Sequence, residues 1–194
     1  MSDNTISTFI GAFNGGFRPN RFRVQGTLGS GGSPTMTFHV RAANLPASSL
    51  STIMVPYRGR NFKMPGNRTY APWQITVLDD NTNSGNSLWE PFHAWSERIN
   101  NHKDNISNNN ATLDFTNEMK DWNVFQLDIN GNTKKTITLK NCWPAEVGPI
   151  SLNMDDNESL STFTVTLEYS WYEVNTLSSN NNTNNRNNTN TAGT

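Results

Sequence analysis

The stretch DWNVFQLDINGNTKKTITLKNCW, residues 121–143, limits the possible folds more than any other. At its centre Asn130-Gly131 is a dipeptide that tolerates positive φ at both positions of a tight turn, and a strand-like run stands on each side. An antiparallel hairpin is predicted here. A period of two returns near the end of the chain. There Phe163, Val165, Leu167 and Tyr169 share one face, and Thr162, Thr164, Thr166 and Glu168 share the other. Such alternation suits antiparallel sheets with one face in a core and the other in water.

Further runs extend the pattern. Phe22, Val24 and Leu28 alternate with Arg21, Arg23 and Thr27, and Met36, Phe38, Val40 and Ala42 alternate after the turn GSGGSP. These two runs are predicted to pair with each other as a hairpin around that Gly-rich turn. NLPASS breaks the sheet and LSTIMVPY restarts it, with Pro56 implying an edge or a bulge. QITVLDD, entered through APW, is another strand. Between them RGRNFKMPGNRTY is a basic, turn-rich hairpin candidate.

Two segments have helical spacing instead. Leu88, Phe92, Trp95 and Ile99 form one face of a helix, with Pro91 in its first turn. Ile6, Phe9, Ile10 and Phe13 form a short amphipathic turn ended by Asn14-Gly15-Gly16. The sum is seven or eight antiparallel strands and one substantial helix. This predicts a mainly β domain, a two-sheet sandwich or partly open barrel with the α-helix covering one flank. At 194 residues one domain is expected. It is placed at residues 1–174, followed by an Asn-rich, disordered tail at 175–194, and residues 101–117 form an exposed Asn-rich loop. The 31 asparagines, with many Thr and Ser, offset a low apolar fraction of 34% and suit polar outer faces and many turns.

Charge and motifs exclude several function classes. The net charge is −1, so the chain as a whole has no electrostatic affinity for nucleic acid or anionic membrane. Asp3 stands where a signal peptide needs basic residues, and no apolar run approaches the ~20 residues that span a bilayer. The single cysteine, Cys142, has no local base to activate it and is expected to be a packed thiol. His39, His93 and His102 show no His-x-x-x-His spacing, so neither a metal nor a cofactor is expected. Asp155, Asp156 and Glu158 lack the register of a calcium loop and any partner for acid–base catalysis. No nucleophile, base and orienting group converge, so the chain is not expected to be an enzyme.

Two segments remain. Arg58, Arg60, Lys63 and Arg68 stand in a stretch without an acid, interleaved with Phe62 and Tyr70. Glu146, Asp155, Asp156 and Glu158 stand in a stretch without a base. Opposite charges on two patches of one chain suit a head-to-tail interface between copies. The alternative is a binding module for carbohydrate or single-stranded nucleic acid, with Trp73, Trp89 or Tyr70 as stacking platforms.

Three long pieces in order resemble the major tail tube proteins of contractile-tailed bacteriophages. They are GGFRPNRFRV after the short helix, NLPASSLSTIMVPYRGRNFKMPGNRTYAPWQITVLDDN, and WPAEVGPISLNMDDNESLSTFTVTLEYSWYE. The resemblance implies a small β-sandwich or barrel, assembled as hexameric rings that stack into the inner tube of a contractile tail. It implies partners: other copies of the chain, the sheath, a baseplate tube initiator, and a tape-measure protein and viral DNA in the lumen. It implies a place in the virion after assembly in the bacterial cytoplasm, with no membrane anchor. Tubes of phage-like injection particles and type VI secretion are related alternatives. The hairpin from Arg58 to Arg68 carries an intersubunit role over from the resemblance, and Asp155, Asp156 and Glu158 are its expected charge partners.

Overall fold

The computed structural model describes residues 6–12, 16–28, 39–80, 87–103, 117–155 and 158–176. After a short helix α1 (Ile6–Ala12) come β1 (Phe22–Gly26), β2 (Val40–Ala43), β3 (Ser48–Tyr57), β4 (Arg60–Tyr70) and β5 (Trp73–Leu78). Helix α2 (Trp89–Ile99) follows, then β6 (Lys120–Leu127), β7 (Thr133–Val147), β8 (Thr162–Glu168) and β9 (Trp171–Thr176). All strand pairs are antiparallel.

The 15-residue β7 organises the sheets. Its first part, Thr133–Cys142, pairs with β6 and β9, and its last part, Trp143–Val147, pairs with β8. Strands β8 and β9 together make one antiparallel partner that follows β7 along its length. Both ribbons bend at one level, where Asn141 has φ +57° and its side-chain amide reaches Ser170 Oγ at 3.4 Å. The Asp121 carboxylate accepts the Asn141 N–H at 3.2 Å and holds the bend. Strands that turn a corner in this way connect two packed sheets. One layer is β1-β6-β7-β9 and the other is β7-β8-β5-β2, an open two-layer arrangement.

Between the layers and α2 lies an aromatic core. Trp95 stacks on Trp122 with rings 5° from parallel, Trp73 meets Trp122 edge-on, and Phe92 meets Phe163 edge-on. The predicted faces are the buried ones: Phe163, Val165 and Leu167 on β8 with Tyr169 just after it, and Leu88, Phe92 and Trp95 at α2. Leu88 is the helix N-cap residue, and the Asp79 carboxylate at the end of β5 accepts its N–H at 2.9 Å. Beside the core Gly26 lies against the Trp122 indole, where a Cβ would come within 2.1 Å of the ring. At the far end of α2, Arg98 bonds to Glu118 at 3.1 Å and to the Leu28 carbonyl at 3.0 Å.

Three local expectations are corrected. The segment RGRNFKMPGNRTY is not a hairpin in itself: its reversal comes at Arg58-Gly59, and Arg60–Tyr70 run as the single strand β4 along β3. Strands β1 and β2 do not form a hairpin: β1 pairs with β6, β2 with β5, and they lie at opposite ends of the sheet path. The 13 residues between them, 27–39, are enough to span from one layer to the other, and alternation does not name a partner. The Asn130-Gly131 connection is also wider than a two-residue turn. Only Gly131 has positive φ, and Asp128 Oδ1 accepts the N–H groups of Asn130 and Asn132. The turn with two positive φ values falls on Arg58-Gly59 instead, at +46° and +80°. The expectation for the Asn-rich loop lies largely outside the described residues, as does that for the chain beyond Thr176.

Candidate functional site

Strands β3 and β4 pair only with each other among the described residues, forming a two-stranded arm separate from the layers. With 10 and 11 residues the arm is about 33 Å long at the rise of a strand. Its base is anchored. Tyr70 packs against Tyr169 and Tyr172, Tyr169 Oη donates to the Ala47 carbonyl, and Arg68 donates to Ser48 Oγ at 2.9 Å. Beyond the base nearly every residue is exposed.

Cross-strand register sorts the arm into two faces, because directly opposed residues share a side. Ile53 opposes Met64, Val55 opposes Phe62, and Tyr57 opposes Arg60, so one face is a row of five apolar side chains ending in a cation. Phe62 on this face is 63% exposed. On the other face Met54 opposes Lys63 and Pro56 opposes Asn61. The predicted basic cluster is therefore divided. Arg60 and Lys63 point to opposite faces, Arg58 sits at the tip over the Tyr57 ring, and Arg68 is held at the base.

The acidic segment leaves the body at the other end. The arm joins β5 at Trp73, which pairs with Leu167, whereas the segment before Thr162 arrives opposite Leu78. The two exits are separated by the length of β5, about 17 Å. Asp155 is exposed in a turn whose N–H is accepted by Asn153 Oδ1, and Glu158 is exposed; Asp156 lies outside the described residues. Leu152, Met154 and Leu160 in the same segment are 89%, 95% and 73% exposed. Helix α1 adds Ile6 and Ile10, also exposed. The candidate residues not anticipated from the charges are these exposed apolar ones. Their signal was alternation in IMVPY and FKM with no second amphipathic element nearby to cover it.

Other candidate positions resolve differently. Cys142 is fully buried and burial pushes its thiol up to about 12, the state of a packed, unreactive sulfur. Trp73 is buried with its Nε1 donating to the Asn44 carbonyl, which removes it as a stacking platform. Trp89 is engaged through Nε1 with the Gly148 carbonyl and stacks on His93. His39 sits 3.4 Å from Asp80, while His93 and His102 converge on Glu97, an association their spacing did not announce. No helix among the described residues is long and apolar enough to cross a membrane.

Among the described residues the surface features that stand out are thus an apolar arm and, at the opposite end of β5, an exposed acidic segment. Comparison with known proteins gives the family. The model of the phage tail tube protein family matches residues 16–175. The tail tube protein of Serratia phage KSP90 is 31% identical over 173 residues, covering 85% of this chain and 94% of that one. Tail tube protein gp19 of Enterobacteria phage T4 is 30% identical over 158 residues, covering 80% and 90%. In fold, a chain of the sheath–tube complex of an extracellular contractile injection system superposes with a TM-score of 0.57. That pair is 17% identical, with 89% of this chain and 99% of that one covered. With the match spanning both layers and the arm, the chain belongs to the phage tail tube proteins, of the contractile-tailed kind, and is a structural virion protein and not an enzyme.

Proposed function

We propose that copies of this chain close into hexameric rings, that the rings stack head to tail, and that the resulting tube conducts viral DNA during ejection. The observation that carries this reading is the β3–β4 arm, whose row of Ile53, Val55, Tyr57, Phe62 and Met64 has no cover from the described residues of its own chain. A two-stranded hairpin of this length is marginal alone, and its free edges invite pairing. A neighbouring copy offers apolar surface at Leu152, Met154 and Leu160, with Asp155 and Glu158 beside it for Arg58, Arg60 and Lys63. Because arm and acidic segment leave β5 from opposite ends, contact between them on successive copies produces a polar stack. A net charge of −1 suits a wall past which DNA slides, since a strongly basic lumen would hold phosphates. Sheath and baseplate partners, a tape-measure protein in the lumen and assembly in the host cytoplasm belong to the same reading. The sheath-bound neighbour of similar fold supports the first of these.

Negative-stain microscopy of the purified full chain tests it: rings or tubes are expected, and uniform monomers at high concentration would overturn it. The charge component is tested separately. Arg60→Glu should hinder polymerisation, and adding Asp155→Lys should restore part of it. Unchanged assembly in both variants would leave the apolar face as the whole interface.

A further inference from the structure

We propose that the C-terminal end of α2 is a binding site for a divalent transition-metal ion, held by His93, Glu97 and His102. His93 and Glu97 stand four residues apart on the helix and so occupy one face on successive turns. The helix stops at Asn100, whose extended backbone still donates its N–H to the Ser96 carbonyl at 3.1 Å. Asn101 Oδ1 then accepts the Lys103 N–H at 2.9 Å, closing a turn that carries His102 back over the helix. There His102 Nδ1 bonds to Glu97 Oε1, and the two imidazole rings lie 5.1 Å apart. One ligand atom from each of the three side chains lies within 4.8 Å of the others. Trp89 supports the site from the side, stacked on the His93 ring at 4.7 Å.

The donor set names the class of ion. Two imidazole nitrogens and one carboxylate oxygen suit zinc, and next to it nickel, cobalt or copper(II); magnesium and calcium prefer all-oxygen shells. For bonds of about 2.0–2.2 Å to one ion, the Glu97–His102 hydrogen bond must open to admit the ion between its two donors while His93 moves toward them. The exposed position of His102 leaves its side chain room to do so. Among the described residues His102 is exposed, so a fourth position is open to water or to a group from a neighbouring molecule. Binding there would tie the segment after α2 to the helix, whatever the assembly state of the chain.

The full chain titrated calorimetrically with zinc chloride alone should bind one ion at micromolar affinity. His102→Ala and Glu97→Gln should each weaken binding at least tenfold, and the His93→Ala/His102→Ala double variant should abolish it. His39→Ala, which removes a histidine paired with Asp80 elsewhere, should leave it unchanged. Calcium chloride in the same titration should give no heat. Circular dichroism shows whether each variant is folded, as expected for changes at a surface site. Zinc binding that survives in the folded double variant, or no binding at millimolar zinc, overturns the proposal.

Discussion

Strands β6–β7 and strands β3–β4 are both antiparallel hairpins written with alternating apolar residues, and they meet opposite fates. On β6 and β7, Trp122, Val124, Ile137 and Leu139 are buried under α2 and the second layer. On β3 and β4, Ile53, Val55, Phe62 and Met64 repeat the pattern and remain in solvent. The difference is not propensity, since both carry β-branched and aromatic residues at period two. It is the presence of a third element. β6–β7 has Phe92 and Trp95 of α2 above it, while among the described residues β3–β4 is joined to the body only at its base. An exposed apolar face that the described residues leave uncovered is the surface on which the proposed assembly rests.

The contrast can be broken at the core first. Gly26→Val drives a side chain into the Trp122 indole, and Trp122→Ala empties the centre of the aromatic cluster. Each should cost the isolated subunit about 3–5 kcal/mol, read from urea unfolding. Arg98→Met comes next. It leaves the Glu118 carboxylate and the Leu28 carbonyl without their guanidinium partner and should cost about 1–3 kcal/mol in the same assay.

At the arm the ranking inverts. Phe62→Asp should change the unfolding free energy of the subunit by less than about 0.5 kcal/mol, because the side chain touches little within its chain. In sedimentation velocity the same variant should lose high-order assembly. A stability loss as large as that of Trp122→Ala would mean that the arm is part of the core after all.

The smallest effect concerns the tip of β6–β7. Burial opposes ionisation of Asp128, yet the N–H groups of Asn132 and Asn130 and the nearby Lys134 hold its carboxyl below the ordinary 3.8. A depressed folded-state pKa contributes stability above the unfolded value that is lost as pH falls through the folded one. Asp128→Ala should therefore lower the thermal midpoint slightly at pH 6, and the difference from the parent should vanish in strong acid.

Much of this was legible in residue order. Val165 and Leu167 on β8, and Phe92 and Trp95 on α2, announced their buried faces by period alone, because a sheet repeats every two residues and a helix every 3.6. The resemblance over long ordered pieces reached the family. The candidate site was only half legible. The charges of Arg58, Arg60, Lys63 and Arg68 were visible, but register placed Arg60 and Lys63 on opposite faces and set Phe62 beside Val55, Ile53, Met64 and Tyr57 on one exposed apolar row. Partnership was not legible either. The run holding Phe22 and Val24 found β6 across the molecule, not β2 next in sequence. His102 met Glu97 only because a turn at Asn101 reversed the chain.

By itself, then, the sequence marked most of the strands, both helices and the apolar face of the core elements, since these follow from local sterics and from the spacing of oily side chains. It read 58–70 as a turn-rich hairpin where β4 runs as one strand, and it left β9 unmarked. Tertiary structure decided which strands pair, where β7 bends at Asn141 to serve two layers, and which apolar face is left uncovered. Those outcomes depend on contacts between residues far apart in the chain, and no local period encodes them.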